Sequence, residues 1–157
     1  MTRPAPPAVL FVCLGNICRS PLAEAAFRQR ATAAGLACRV DSAGTGGWHA
    51  GEPPDPRAVA EAARHGIDIA GYRARQVTAA DFTRFSHVYA LDHDNLAGLR
   101  RLRPAGSPAR LGLLLDCLPD RAGQPVADPY YGDAAGFAVT WAEVDRAARA
   151  LVALLGA

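Results

Sequence analysis

The stretch VLFVCLGNICRSP, residues 9–21, ends an apolar run in a cysteine and sets an arginine six positions later, beside a serine and a proline. Cys13 and Arg19 thus bracket Leu14, Gly15, Asn16, Ile17 and Cys18, with Ser20 following. A guanidinium is a planar fork that matches two oxygens of a phosphate. A short loop joining a strand to a helix turns backbone N–H groups inward and forms an anion nest. The helix start adds unpaired N–H groups and a partial positive charge. Gly15 permits backbone geometry that a Cβ would block. The same field favours the thiolate of Cys13, and a thiolate beneath a cradled phosphate attacks phosphorus to give a covalent cysteinyl phosphate. Ser20 is placed to donate its hydroxyl to the sulfur, and Asn16 to hold the loop through side-chain hydrogen bonds. Cys-x5-Arg alone is a chance pattern, and a cysteine at a strand end also reads as a small core residue. Its position between a β run and a Pro-initiated helix makes it specific.

Phosphoryl transfer from a monoester also needs a proton for the departing oxygen. Any Asp or Glu on a loop near the strand ends would serve. Asp128 stands out because it opens the polar, aromatic loop ADPYYGD, where Pro129 restricts the backbone after it. An Asp-Pro turn is its plainer reading. Asp133 reads as a cap for the following helix. An aryl phosphate calls for aromatic walls, and Trp48, Tyr130 and Tyr131 lie on the two loops expected near the site.

These residues need a frame. AVLFVC (8–13) reads as a strand buried on both faces. Residues 21–35 read as a helix with Ser20 at the N-cap, Pro21 at N1 and Gly35 at the stop. Further strands are expected at 38–43, 86–91 and 110–115. Helices are expected at 55–66, after Asp92 or Asp94 through about Arg103, and at 135–155, where Phe137, Trp141, Val144, Leu151 and Leu154 mark one apolar face. The alternation predicts a single α/β domain: a doubly wound, four-stranded parallel sheet with helices on both faces and a phosphate-binding loop after the first strand. Ligands of such sheets lie beyond the carboxyl ends of the strands, where Cys13 falls. Residues 1–7 read as a flexible tail and 8–157 as the domain.

The 157 residues suffice for one core. Half are hydrophobic and a fifth charged, and the formal charge of +2 gives no argument for nucleic acid or membrane as a partner. Every basic side chain apart from histidine is arginine, which reads as a compositional bias. The opening MTRPAPPAVL has no signal-peptide h-region, so the four cysteines are expected as reduced thiols in the cytoplasm. Cys13-x4-Cys18 lacks a second ligand pair, so no metal and no cofactor is expected.

VLFVCLGNICRSPLAE resembles the signature of the low-molecular-weight protein tyrosine phosphatases. The likeness continues at Asp41-Ser42-Ala43-Gly44-Thr45, Trp48-His49-x-Gly51, Asp55-x-Arg57, Arg73-x-Arg75 and Asp128-Pro129-Tyr130-Tyr131-Gly132, covering nearly the whole chain. The resemblance implies a monomer that hydrolyses protein phosphotyrosine and is bound by phosphate and other oxyanions. It makes Cys13 the nucleophile, Arg19 and the loop amides the phosphate site, and Asp128 the general acid and then base. It implies that Trp48, Tyr130 and Tyr131 flank the cleft and influence substrate preference, and that Cys18 pairs reversibly with Cys13 under peroxide. Family members commonly carry a histidine supporting the loop asparagine where this chain has Tyr72; a tyrosine hydroxyl is expected to bond similarly. Asp41 and Ser42 are expected to bond the neighbouring loop, and Asp92 and Asn95 to buttress it.

Two other functions share parts of this pattern. A thioredoxin-coupled arsenate reductase uses the same nest but needs two further relay cysteines, and only Cys38 and Cys117 remain. A non-catalytic phosphate or phosphotyrosine-binding module would dispense with Cys13 or Asp128. A dinucleotide site is excluded because no G-x-G-x-x-G follows the first strand.

Overall fold

The computed structural model describes residues 5–156, so the expected tail lies partly outside them. Four parallel strands, β1 (Ala8–Cys13), β2 (Arg39–Gly44), β3 (His87–Ala90) and β4 (Arg110–Leu113), form one sheet in the order β2-β1-β3-β4. All six residues of β1 are buried, as an unalternating apolar run requires in a sheet covered on both faces. Val9, Phe11 and Cys13 pack with α1 (Arg19–Ala33), α2 (Pro56–Arg64) and α5 (Ala134–Leu155). Leu10 and Val12 face the other way, with Phe82 of the short α3 (Asp81–Arg84) and Leu96 and Leu99 of α4 (His93–Leu102). The chain leaves β1 toward β2 on one side and reaches β3 on the other, so the crevice beyond β1 is the switch point.

Several boundaries move for local reasons. Helix α1 begins at Arg19, with Cys18 at the N-cap position and no side-chain cap. Ser20 is therefore inside the first turn, and its hydroxyl is free for another partner. Gly35 does end the helix region, at φ +70°. Asp55 caps α2, Asp92 rather than Asp94 caps α4, and Asp133 caps α5. β4 is shorter than expected because Leu114–Cys117 turn into a 3-10 helix, and Pro119–Arg121 form a second one. The α3 turn lies in a polar stretch without helical periodicity. On α5, Phe137, Trp141, Val144 and Leu151 are buried with Thr140, Ala147 and Ala148, whereas Leu154 is exposed. Among the described residues no helix is long and apolar enough to cross a membrane.

Gly44 pairs with Cys13 at the ends of β2 and β1. A Cβ there would lie 2.7 Å from the Leu14 carbonyl oxygen, which the Gly46 N–H already holds at 2.9 Å. Neither backbone can retreat without distorting the loop after β1. Gly44→Ala is expected to destabilise the protein by about 1–3 kcal/mol in urea unfolding, and to weaken inorganic phosphate binding measured by competitive inhibition.

Candidate active site

Residues 14–18 leave β1 and enter α1. Neighbouring loops bond three carbonyls along this turn: Thr45 and Gly46 N–H donate to the oxygens of Cys13 and Leu14 at 2.9 Å, and Asp55 N–H to that of Ile17 at 2.9 Å. Among the described residues, the N–H groups of 14–18 donate to no protein acceptor. With those carbonyls occupied and the amides uncommitted, the loop is a nest for an oxyanion.

The bend depends on Asn16, which sits at φ +58°, a conformation that costs most side chains energy and that asparagine tolerates. Its amide nitrogen donates to Ser20 Oγ (2.8 Å) and Ser42 Oγ (3.0 Å), and its oxygen accepts the Arg75 N–H (3.0 Å). Ser42 in turn donates to the buried Glu24 (2.7 Å). Burial pushes the Glu24 carboxyl up, while Ser42 and Arg28 hold it down. Ser20 Oγ thus accepts a hydrogen from Asn16 and lies 3.0 Å from Cys13 Sγ and 3.5 Å from the Ala43 carbonyl oxygen; toward an ionised sulfur, which only accepts, its hydroxyl is the donor. Tyr72 lines the small cleft behind Asn16, but its hydroxyl makes no bond to Asn16. Ser42, Glu24 and Arg75 carry that support instead. Asp41 holds the Arg75 guanidinium at 2.9 Å, and the buried Asp81 holds it from the other side.

Arg19 is 3 % exposed. Its Nη1 donates to Asp92 Oδ2 (2.8 Å) and to the Val126 carbonyl (3.0 Å), while Nη2 lies 3.6 Å from Asp128 Oδ2. Burial opposes its charge, but the Cys13 sulfur and Asp92 outweigh this and hold its pKa above the usual value. Asp92 thus buttresses the site through Arg19. Asn95 does not reach the loop: its side-chain oxygen is buried without a partner among the described residues.

A cleft of about 200 Å³ opens over this floor, lined by Cys13, Leu14, Gly15, Ile17, Cys18 and Arg19 below and by Trp48, His49, Asp128, Tyr130 and Tyr131 around it. Cys13 is 3 % exposed at the base, whereas the Asp128 side chain is 41 % exposed on the rim. Asp128 Oδ1 accepts the Tyr130 N–H at 3.1 Å, so the Asx turn and the cleft position coexist and Oδ2 faces Arg19. Trp48 (72 % exposed) lies against Gly46, where a Cβ would fall 1.7 Å from its ring. Tyr130 and Tyr131 meet edge to face at 4.9 Å, with Tyr131 93 % exposed. The imidazole of His49 lies over Gly15 and bonds Glu52 at 2.5 Å. His49 marked only a likeness in the sequence, although its neighbour Trp48 placed their shared loop near the site.

The Cys18 thiol is pushed far up, chiefly by burial and then by Asp55. Cys38 precedes β2 and Cys117 follows β4, so the remaining thiols flank opposite edges of the sheet. Burial pushes Cys117 up to about 11, and its sulfur lies 3.6 Å from the Ala147 carbonyl. No thiol relay of the arsenate-reductase kind is built here. All four cysteines are free thiols.

A strand-first nest with a cysteine at its base and an arginine at its helix entry defines a phosphoryl-transfer site on a doubly wound sheet. Residues 8–157 match the family model described as low molecular weight phosphotyrosine protein phosphatase. A low molecular weight protein-tyrosine-phosphatase of Streptomyces coelicolor is 48 % identical over 92 % of this chain and 91 % of its own length. A low molecular weight phosphotyrosine protein phosphatase of Schizosaccharomyces pombe is 45 % identical over 82 % and 84 %. The crystal structure of YfkJ from Bacillus subtilis superposes with a TM-score of 0.90 at 38 % identity, covering 99 % of this chain and 98 % of that one. The chain belongs to the low molecular weight phosphotyrosine protein phosphatase family, and it is an enzyme of the protein-tyrosine-phosphatase class.

Glu24 and Arg75 are the supports that sequence reasoning missed, since both carry their roles through contacts distant in the chain. The bond from Ser20 to the sulfur is the direct test of this scaffold. A hydrogen bond to an ionised group contributes about 1.5–3 kcal/mol. Ser20→Ala is therefore expected to lower kcat for para-nitrophenyl phosphate by roughly 10- to 150-fold, with phosphate inhibition little changed.

Proposed function

We propose that this phosphatase hydrolyses phosphotyrosine in proteins with Cys13 as nucleophile, Arg19 and the amides of Leu14 to Ser20 as phosphate site, and Asp128 as general acid and then base. The observation that carries this is the shared cleft: a buried sulfur below uncommitted amides, with Arg19 joined to Asp92 at 2.8 Å and 3.6 Å from Asp128. The thiolate of Cys13 attacks phosphorus, forming the S–P bond as the P–O bond to the phenol breaks. Asp128 delivers its proton to the phenolate oxygen. The resulting carboxylate takes a proton from water as that water attacks phosphorus, releasing inorganic phosphate and the thiolate. Ser20 donates to the sulfur in both steps, so the leaving thiolate is stabilised.

An exposed aromatic rim of Trp48, Tyr130 and Tyr131 around a cleft with the buried Cys13 in its lining suits an aryl group carried on a protein surface. The nest takes the product phosphate and other oxyanions as well. Free thiols throughout support a reducing, cytoplasmic setting. Beyond the cleft rim, the large exposed apolar side chains include Val139 and Leu154, about 22 Å apart along α5; such separated residues form no joint face, which supports a monomer. The nearness of Cys18 to Cys13, one loop apart beneath the same cleft, supports reversible pairing of the two under peroxide.

Cys13→Ser is expected to abolish turnover of para-nitrophenyl phosphate while vanadate still binds. Asp128→Ala is expected to slow hydrolysis of phenyl phosphate by about 10²–10⁴-fold, to slow that of para-nitrophenyl phosphate less, and to spare phosphate affinity. Turnover by Cys13→Ser at the wild-type level would end the covalent mechanism.

A further inference from the structure

The loop from Ala127 to Gly132 carries Asp128 and the two tyrosines, and two of its hydrogen bonds are its own. Asp128 Oδ1 takes the Tyr130 N–H, and the Pro129 carbonyl takes the Gly132 N–H at 3.0 Å. Those bonds shape the loop but do not fix its height over Cys13. Among the described residues, the hydrogen bonds that join its backbone to another element come from one side chain, Arg57 on α2. Arg57 Nη1 donates to the Gly132 carbonyl and Nη2 to the Tyr130 carbonyl, both at 2.9 Å.

The other edge of the same guanidinium is committed to Asp55. Arg57 Nε bonds Oδ1 at 3.0 Å and Nη2 bonds Oδ2 at 2.9 Å. The Asp55 N–H is the donor to the Ile17 carbonyl on the outside of the phosphate loop. The guanidinium carbon also lies 4.7 Å from the centre of the buried Phe137 ring in the first turn of α5, and 5.8 Å from that of Tyr130. One planar group therefore ties the floor of the nest, the acid loop and the start of the final helix. Lysine offers a point charge and could not meet a carboxylate and two carbonyls in one plane. The charge of Arg57 is answered by Asp55, and it lines no part of the cleft, so phosphate binding is not its task.

We infer that Arg57 is a positioning residue that sets the Asp128 carboxyl at its working height above Cys13, with Asp55 as its anchor. The inference rests on the assignment of Asp128 as the general acid. Its effect must therefore scale with how much the leaving group needs a proton. A nitrophenolate leaves with little help, whereas a phenolate of ordinary basicity depends on the acid.

The test compares kcat/KM for para-nitrophenyl and phenyl phosphate in wild type, Arg57→Lys, Arg57→Gln and Asp128→Ala. In both Arg57 variants, phenyl phosphate is expected to lose roughly tenfold or more and para-nitrophenyl phosphate much less. Competitive inhibition by phosphate should be unchanged. Combining Arg57→Lys with Asp128→Ala should add no further loss, because the lysine variant acts through the same carboxyl. Equal losses on both substrates, full additivity in the double variant, or wild-type behaviour would overturn the inference. So would loss of phosphate binding in Arg57→Lys, which would make Arg57 a support of the whole site. If Asp128→Ala itself shows no leaving-group dependence, the acid assignment falls; if it does and the Arg57 variants do not, the positioning role alone falls.

Discussion

A single backbone bend at Asn16 is what the active cleft hangs on. With φ at +58° there, the Leu14 and Ile17 carbonyls bond Gly46 and Asp55, and among the described residues the amides of 14–18 have no protein acceptor. That conformation is unfavourable on its own. It is held from behind by Ser20, Ser42 and the Arg75 backbone, and those are held by Glu24, Asp41 and Asp81. The bonds are buried or partly buried, where an unmade one would cost more than a made one contributes. The network thus fixes one loop shape and sets Ser20 Oγ beside the sulfur.

This arrangement divides the molecule by depth. Cys13 and Arg19 belong to the end of a fully buried strand and the first turn of a buried helix. Asp128 and the aromatic rim sit on loops that touch that core at few points. Arg19 spans the two regions, bonding Asp92 and Val126 while standing near Asp128. The placement of Cys13 and Arg19 is consequently a property of the packed core, and that of Asp128 a property of a surface loop brought to it.

What could be read in the linear chain follows the same division. The strand, the loop and the helix that make the nest are consecutive, so residue types and spacing were enough to identify Cys13 to Ser20. The caps at Asp55 and Asp133 and the stop at Gly35 were likewise local signals. Ser20 was misread as a cap because the start of α1 is set by the loop's exit geometry, and the serine hydroxyl turns to the sulfur. Asn95 follows the third strand, and Tyr72 fills a position where the family resemblance implies a supporting histidine, but neither signal says where the polar atom points, and neither bonds the loop. Glu24, Arg57 and Arg75 act across 18 to 75 positions of chain, and no pattern within a window records such partners. Leu154 extends an apolar periodicity past the end of the core it was expected to join.

The exposure of Trp48, Tyr130 and Tyr131 bears on how such an enzyme diverges. Side chains that rest on the rim contribute little to folding, so replacing them leaves the stability reserve largely intact. The nest has less such freedom, since Cys13, Asn16, Ile17, Cys18, Arg19 and Ser20 are all buried. The rings at the rim can therefore change without disturbing the packing beneath Cys13 and Arg19, which lies in the interior of the fold.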